Sequence, residues 1–441
     1  MSSSVSQNPA AGFIDLATYD ELEKYMYGTE KAISYFVADI KPSTWFTLVP
    51  TVLSKSMGQA QFGQDWAASI SRSGDYLVHT WLRTRVEGVT LTPALQAAGA
   101  QIRWTHNFAH NLIKLAAVTF NDLVAMQFDN YFLDFWAAFT VPASKQIGYN
   151  NMIGNTEGQY KGAKTLAPFT VNLPLPFFFT RDSGLALPTA ALPYNEMRVN
   201  IQMRDWTELL VYYAPGSVTG QRLSVPDNLA SAPQLRDCNI WAEYAIVSND
   251  ERKRMGCAPR DILIEQTQSA PRSTFKTTQS NPVDIRFAHA VKTLFFGVRN
   301  CTVSSEWSNY TLGGVLPQGY VAKDARIDPM AAGTLLYENT QRLAGLPSDY
   351  YSLVEPWYKA PAIPALTGYH MYSYSLAFYD IDPMGSTNYG KLTNVTLDMQ
   401  GAEGVHVDLV AQSSTTLQGI IVCVNNNIIR ISGGALGFPV L

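Results

Sequence analysis

Two histidines four residues apart, His106 and His110 in THNFAHN, have the spacing that places two imidazoles on one face of a helix. That spacing serves zinc when a glutamate lies between the pair and a third ligand follows, and here neither is present. The pair therefore reads as ordinary polar histidines, with no metal site. Ser183 follows Asp182 in TRDSGLAL, but the GxSxG turn that would lift a serine nucleophile out of a sheet is missing. The remaining histidines (His79, His289, His370 and His406) are scattered, and nothing in the sequence singles out a carboxylate pair for glycoside hydrolysis. IGNTEGQYKGAK, 153–164, contains glycines but no phosphate-cradling GK[ST], and reads as a surface loop. Cys238, Cys257, Cys301 and Cys423 are widely spaced with no CxxC, which favours free thiols over zinc or a disulfide framework. Three N-x-[ST] sequons begin at Asn300, Asn309 and Asn394 and are expected to stay unmodified. No catalytic residue, cofactor-binding residue or metal ligand emerges, so the chain is expected not to be an enzyme.

Composition points elsewhere. Of 441 residues, 46% are hydrophobic, 12% are aromatic and only 15% are charged, against roughly 25% charged in ordinary soluble domains. So little charge with so many rings implies a large buried fraction, or broad surfaces that meet partners. A net charge of −4 supplies no basic field for nucleic acid. Residues 1–30 carry one basic side chain, Lys24, against Asp15, Asp20, Glu21, Glu23 and Glu30, so a phosphate-neutralising arm is absent. The first residues lack the features of a signal peptide, and no run of 18 apolar residues exists; a soluble, intracellularly made protein is expected.

Two stretches have helical periodicity. In LATYDELEKYMYG, Thr18 with Glu21 makes a capping-box pattern, Leu22, Tyr25 and Met26 share a face, and Gly28 ends it. In NDLVAMQFDNYFLDFWAAF, Asn121 or Asp122 is the expected cap of a helix whose aromatic stripe (Phe128, Tyr131, Phe132, Phe135, Trp136, Phe139) is core-forming. Nearly all else is strand and turn. MRVNIQM, PVDIRF and NVTLDM alternate apolar with polar residues, IWAEYAIV is apolar on both faces at several positions, and 30 glycines and 24 prolines punctuate such runs. The class is mostly β.

DNYFLDFW at Asp129 echoes DYYSLVEPW at Asp349, and NEMRV at Asn195 echoes NIIRI at Asn427. Offsets of about half the chain suggest two similar β-domains in tandem, joined within the Gly-, Ser- and Pro-rich 211–234.

LPLPFFFTRDSGLALPTAALPYNEMR, 173–198, closely resembles a segment of the major capsid proteins of iridoviruses, within the large nucleocytoplasmic DNA viruses. The likeness continues in order through GFIDLATYD from Gly12, FNDLVAMQF from Phe120, MIGNT from Met152, DIRFAHAVK from Asp284 and SNYT at Ser308. It runs on through YENT at Tyr337, YYSLVEPWY at Tyr350, GSTNYGKLTNVTL at Gly385 and the closing NIIRISGGALGFPVL. One departure is VAQSSTTLQG, 410–419, where relatives often carry a longer glycine-rich segment.

The resemblance implies two consecutive eight-stranded jelly-roll β-sandwiches with a few short helices. The expected layout is an N-terminal segment with an amphipathic helix over 1–30, a first roll over 31–215 and a second over 225–441. It further implies a homotrimer that forms a pseudo-hexagonal capsomer and tiles an icosahedral shell around an inner membrane and a DNA genome. The implied setting is the virion, assembled in the host cytoplasm. Partners would be further copies of the chain, minor capsid and penton proteins, and the inner membrane through the N-terminal segment, with no direct nucleic-acid contact. Two rival readings remain: a carbohydrate-binding β-sandwich, with Trp45, Trp66, Trp307 and Trp357 as platforms, and a β-rich hydrolase.

Overall fold

Two runs of alternating strands build the chain, and a computed structural model places them in two pairs of sheets. Residues 9–217, 220–223, 228–313, 327–402 and 416–439 are described. They form two units, one ending at Trp45 and one spanning Phe46–Leu441. Six positions of the short 410–419 segment, 410–415, lie outside the described residues.

The first unit holds helices α1 (Pro9–Ala17) and α2 (Glu21–Tyr27). The capping box sits two residues later than expected. Asp20 accepts from the amides of Leu22 and Glu23, and the Glu23 carboxylate reaches back to the Asp20 amide. Thr18 instead closes α1 by donating to the Asp15 carbonyl at 2.7 Å. Acidic Glu21 and Glu23 in the first turn complement the positive end of the helix dipole.

The second unit begins with β1 (Phe46–Val52), β2 (Ser54–Met57), β3 (Asp65–Ser69), β4 (Tyr76–Val86), β5 (Ile113–Phe120), β6 (Leu123–Asp129), β7 (Phe169–Pro174), β8 (Met197–Met203) and β9 (Leu235–Val247). Their sheets are ordered β1-β9-β4-β7 and β2-β3-β8-β5-β6. The later strands are β10 (Arg260–Ser269), β11 (Ser280–Ile285), β12 (Ala290–Asn300), β13 (Met330–Tyr337), β14 (Thr340–Pro347), β15 (His370–Ser373), β16 (Val395–Gly401) and β17 (Leu417–Ser432). They form β10-β17-β12-β15 and β11-β16-β13-β14. With the short β2 taken as an extension beside β3, both halves obey one rule. One sheet runs first-eighth-third-sixth, the other second-seventh-fourth-fifth. That order is a jelly roll, made twice.

Alternation positions the strands as expected. In β8, Met197, Val199, Ile201 and Met203 are buried and the residues between them half-buried; β11 and β16 repeat the pattern. The expected helix over 121–139 is shortened. Asn121 and Asp122 take left-handed backbone (φ 48° and 66°) and make a two-residue turn between β5 and β6. The helix, α3 (Asn130–Thr140), starts only where Asp129 accepts from the Phe132 amide at 2.9 Å. Glu338 and Asn339 make the same left-handed turn between β13 and β14.

One echo marks a true repeat and the other does not. DNYFLDFW and DYYSLVEPW both follow the fifth strand of their roll, where the second half forms a π-turn and then α4 (Glu355–Lys359). NEMRV lies at the start of a seventh strand, whereas NIIRI lies in an eighth. The seam also differs from the expected 211–234. IWAEYAIV, in β9, pairs with β1 and β4, so the first set of sheets extends to Val247.

The surface-loop reading of 153–164 is corrected in part: Ile153 and Asn155 are buried and Glu157–Tyr160 turns helically.

Candidate assembly surfaces and the buried seam

Of the chemistry-bearing residues singled out by type, His106 and His110 are absorbed into a seam between the two halves. Only His110 lies on the helical turn Phe108–Leu112, His106 precedes its cap, and each ring faces its own carboxylate. His106 Nδ1 lies 3.5 Å from Glu306. His110 Nδ1 lies 2.7 Å from Asp134, with its Nε2 2.6 Å from the Tyr149 hydroxyl. Among the described residues no cluster of three His, Cys, Asp or Glu side chains is arranged for a metal. Ser183 is exposed in a single 3-10 turn. All four cysteines are free, and burial pushes the Cys238 thiol up to about 11.

Two of the three sequons are structural. The Asn300 side-chain oxygen accepts from the amide and hydroxyl of Thr302, and Asn309 does the same with Thr311. Both asparagines are buried, and each amide nitrogen donates to the Gly313 carbonyl. The N-x-T spacing here makes an Asx turn, in which the hydroxyl two residues on doubles the bond.

The seam joins residues some two hundred positions apart. Arg103 and Glu306, both buried, pair at 2.6 Å, and Glu306 also accepts from the Thr105 hydroxyl and the His106 amide. Burial alone would raise the Glu306 pKa, but Arg103 and His106 outweigh it and hold the carboxyl well below its ordinary range. Asp134, on α3, accepts from Ser308 at 2.7 Å and Tyr310 at 3.0 Å. Burial, reinforced by Asp134, pushes the Tyr310 and Tyr149 phenols well up, so both stay protonated donors. The guanidinium groups of Arg204 and Arg299 lie 3.5 and 3.8 Å from the Trp307 ring centroid. Glu265 bridges Arg181 of the first half and Lys292 of the second. The carboxylates here are all hydrogen-bonded, as burial demands, and the Arg299 guanidinium is held by the Tyr131 hydroxyl and the Ser304 and Glu306 carbonyls.

Around this polar seam α3 lays Phe135, Trp136 and Phe139 against Phe295 of β12, with ring centroids 5.5–6.4 Å apart. Strand alternation explains what Phe295 faces. Leu294, Phe296, Ile421 and Cys423 point into the core between the second pair of sheets. Phe295, Met371, Val422 and Val424 point out of that sandwich and share an apolar cluster with first-half residues. The outer face of β10-β17-β12-β15 is therefore covered by the first half.

Several apolar surfaces remain uncovered. Large exposed side chains stud the first unit, among them Phe13, Leu22, Tyr25, Tyr35, Phe36 and Ile40. β1 is apolar yet open along almost its whole length, with Phe46, Leu48, Val49 and Val52 exposed. Trp357 and Tyr358 on α4 are 68% and 76% exposed, beside Leu353 and Val354. Of the four tryptophans considered as platforms, Trp66 and Trp307 are buried, and Trp45 and Trp357 are exposed. Trp45, Trp357 and the Leu22–Tyr25–Met26 face were the sequence signals that reached these surfaces; the exposed residues of β1 lie on a strand whose outward face alternation alone does not reveal.

Comparison with known proteins gives these surfaces a context. A family model described as the large eukaryotic DNA virus major capsid protein matches 251–437, and one described as the major capsid protein N-terminus matches 34–247. The major capsid protein of Costelytra zealandica iridescent virus is 55% identical over 99% of both chains. That of Invertebrate iridescent virus 6 is 53% identical with the same coverage, and that of Rana tigrina ranavirus is 41% identical over the full length of both. Among solved structures, PBCV-1 VP54 matches with a TM-score of 0.76 at 19% identity, covering 92% of this chain and 100% of that one. The Faustovirus major capsid protein matches at 0.70 and 11%, covering 96% and 98%. These distant structures share the double jelly-roll fold.

Proposed function

The chain belongs to the major capsid protein family of the large eukaryotic DNA viruses, a structural component of the virion shell and not an enzyme, and from that premise we propose that it works as a homotrimeric block. Three chains with two rolls each give six similar lobes, a pseudo-hexagonal capsomer that tiles the faces of an icosahedral shell around an inner membrane and DNA genome. The observation that carries this reading is the repetition of one strand order in two adjoining sandwiches. The rolls divide after Val247, with 248–259 as the connection, a later boundary than the expected break between 215 and 225.

Each subunit contact of a permanent trimer should bury about 2,000 Å² or more and be largely apolar, which suits the uncovered aromatic surfaces. Contacts between trimers, and with minor capsid and penton proteins, are expected to be more polar so that misplaced blocks detach. The amphipathic first unit faces inward, towards minor proteins or the membrane. Its basic residues Lys24, Lys31 and Lys41 are outnumbered by Asp15, Asp20, Glu21, Glu23, Glu30 and Asp39, so it is poorly suited to neutralising DNA. Assembly takes place in the host cytoplasm.

Electron-microscope class averages of the purified protein test the block directly. Six-lobed particles with three-fold symmetry are expected; two-fold particles or open chains would contradict the reading.

A further inference from the structure

The contact between the two rolls of one chain has a second, unfilled counterpart on the same molecule. Within the chain, α3 follows the fifth strand of roll one and covers the outer face of the first-eighth-third-sixth sheet of roll two. The covered row runs across that sheet as Ser269–Val422–Phe295–Met371. The same row in roll one is Val52–Trp241–Trp81–Pro174. Trp81 and Phe295 are each the sixth residue of their third strand. Directly opposed residues of antiparallel strands share a face, so these four form one stripe. Buried Leu82, Ile240 and Leu173 next to them show that the stripe points outward.

This stripe is uncovered. Val52 and Pro174 are exposed, and Trp81 and Trp241 are half-buried, stacked on each other at 6.1 Å. Beside it lies an open groove of about 620 Å³ walled by Trp81, Pro174, Trp136, Met152 and Arg181. The counterpart of α3 is also uncovered. In the repeat, Tyr131 matches Tyr351 and Leu133 matches Leu353, and with the one extra residue taken up in the π-turn Tyr350–Val354, Trp136 corresponds to Trp357. Tyr131 and Tyr351 are both buried, but Leu353, Trp357 and Tyr358 project into solvent.

We propose that Trp357 and Tyr358 of one copy dock on the Trp81–Trp241 stripe of the next, repeating between chains the contact that α3 makes with Phe295 within the chain. The occupant is a second copy of this chain because the covered pair is itself a contact between this sequence's two rolls, and the uncovered pair continues that interface around a ring. Such a contact is heterologous, knob on one copy and face on another, and must close to avoid a filament. In a ring of three chains, inner and outer contacts alternate around six rolls. The inference rests on the trimer reading and assigns its contact.

The test places a photo-reactive phenylalanine analogue at Tyr358 in the full chain, assembled from mixed isotope-labelled and unlabelled copies. Mixed-mass cross-links to peptides spanning 76–86 or 235–247 are expected. Trp357→Ala should raise the concentration at which the trimer half-dissociates at least tenfold, with thermal unfolding of the subunit unchanged because the side chain is exposed. Trp357→Phe should retain most of the affinity, and Ile147→Ala, at another exposed apolar side chain, should change nothing. A trimer that cross-links elsewhere and tolerates Trp357→Ala overturns this contact and leaves the trimer reading standing. A chain that stays monomeric overturns both.

Discussion

Glu306→Ala is expected to destabilise the folded chain by about 3–5 kcal/mol, because it leaves the buried Arg103 guanidinium without a counter-charge. The loss is larger than the pair's net worth. Arg103 stays 2% exposed with its second bond directed to Tyr213, while the Thr105 hydroxyl and the His106 amide also lose their acceptor. Replacing both partners, as Arg103→Met with Glu306→Leu, should cost much less, since a buried ion pair is often no more stabilising than apolar groups of similar volume. Urea unfolding of the single and double variants separates the two expectations. The acid dependence has a definite sign. The Glu306 pKa is lowered on folding, so its contribution is present in full above the unfolded carboxyl value of about 4.3 and declines as pH falls towards the folded one. The gap between wild type and Glu306→Gln should therefore be widest above pH 5 and narrow at pH 3.

Phe295→Ala carries a comparable cost, about 3–5 kcal/mol, through the cavity left among Phe135, Phe139 and Phe378. Its location makes the effect directional. Phe295 faces the first roll, not the core of its own sandwich, so its loss loosens the seam while β11 and β16 keep their packing. Hydrogen exchange should show faster exchange over α3, with 280–285 and 395–401 still protected. Phe296→Ala, one residue on and facing the inner core, should reverse that pattern.

What the sequence could and could not disclose follows from these same residues. Period-two alternation marked β8, β11 and β16 because one face of each is buried and the other is not. The helix over 121–139 was placed too early because seven of its residues belong to a strand with an aromatic at Phe128. The discriminating feature was the Asn121–Asp122 pair, residues that tolerate left-handed backbone and make a hairpin turn as readily as a cap. The echo of DNYFLDFW in DYYSLVEPW was meaningful because a turn, a helix and an aromatic knob recur together; NEMRV and NIIRI shared only the alternation of any strand. The seam was beyond reach. Thr105 and Glu306 are 201 positions apart, and no local pattern announces that His106 and His110 will each meet a separate carboxylate. The outward-facing row Val52–Trp241–Trp81–Pro174 comes from three register alignments that only the folded sheet fixes.

The mass of the purified protein in solution, by light scattering coupled to size exclusion, tests the central claim most directly. One chain weighs 48.7 kDa. A closed trimer predicts three times that, about 146 kDa, holding across a hundredfold dilution because two apolar contacts must open before a subunit leaves. A well-folded species of 48.7 kDa at every concentration would contradict the self-closing block.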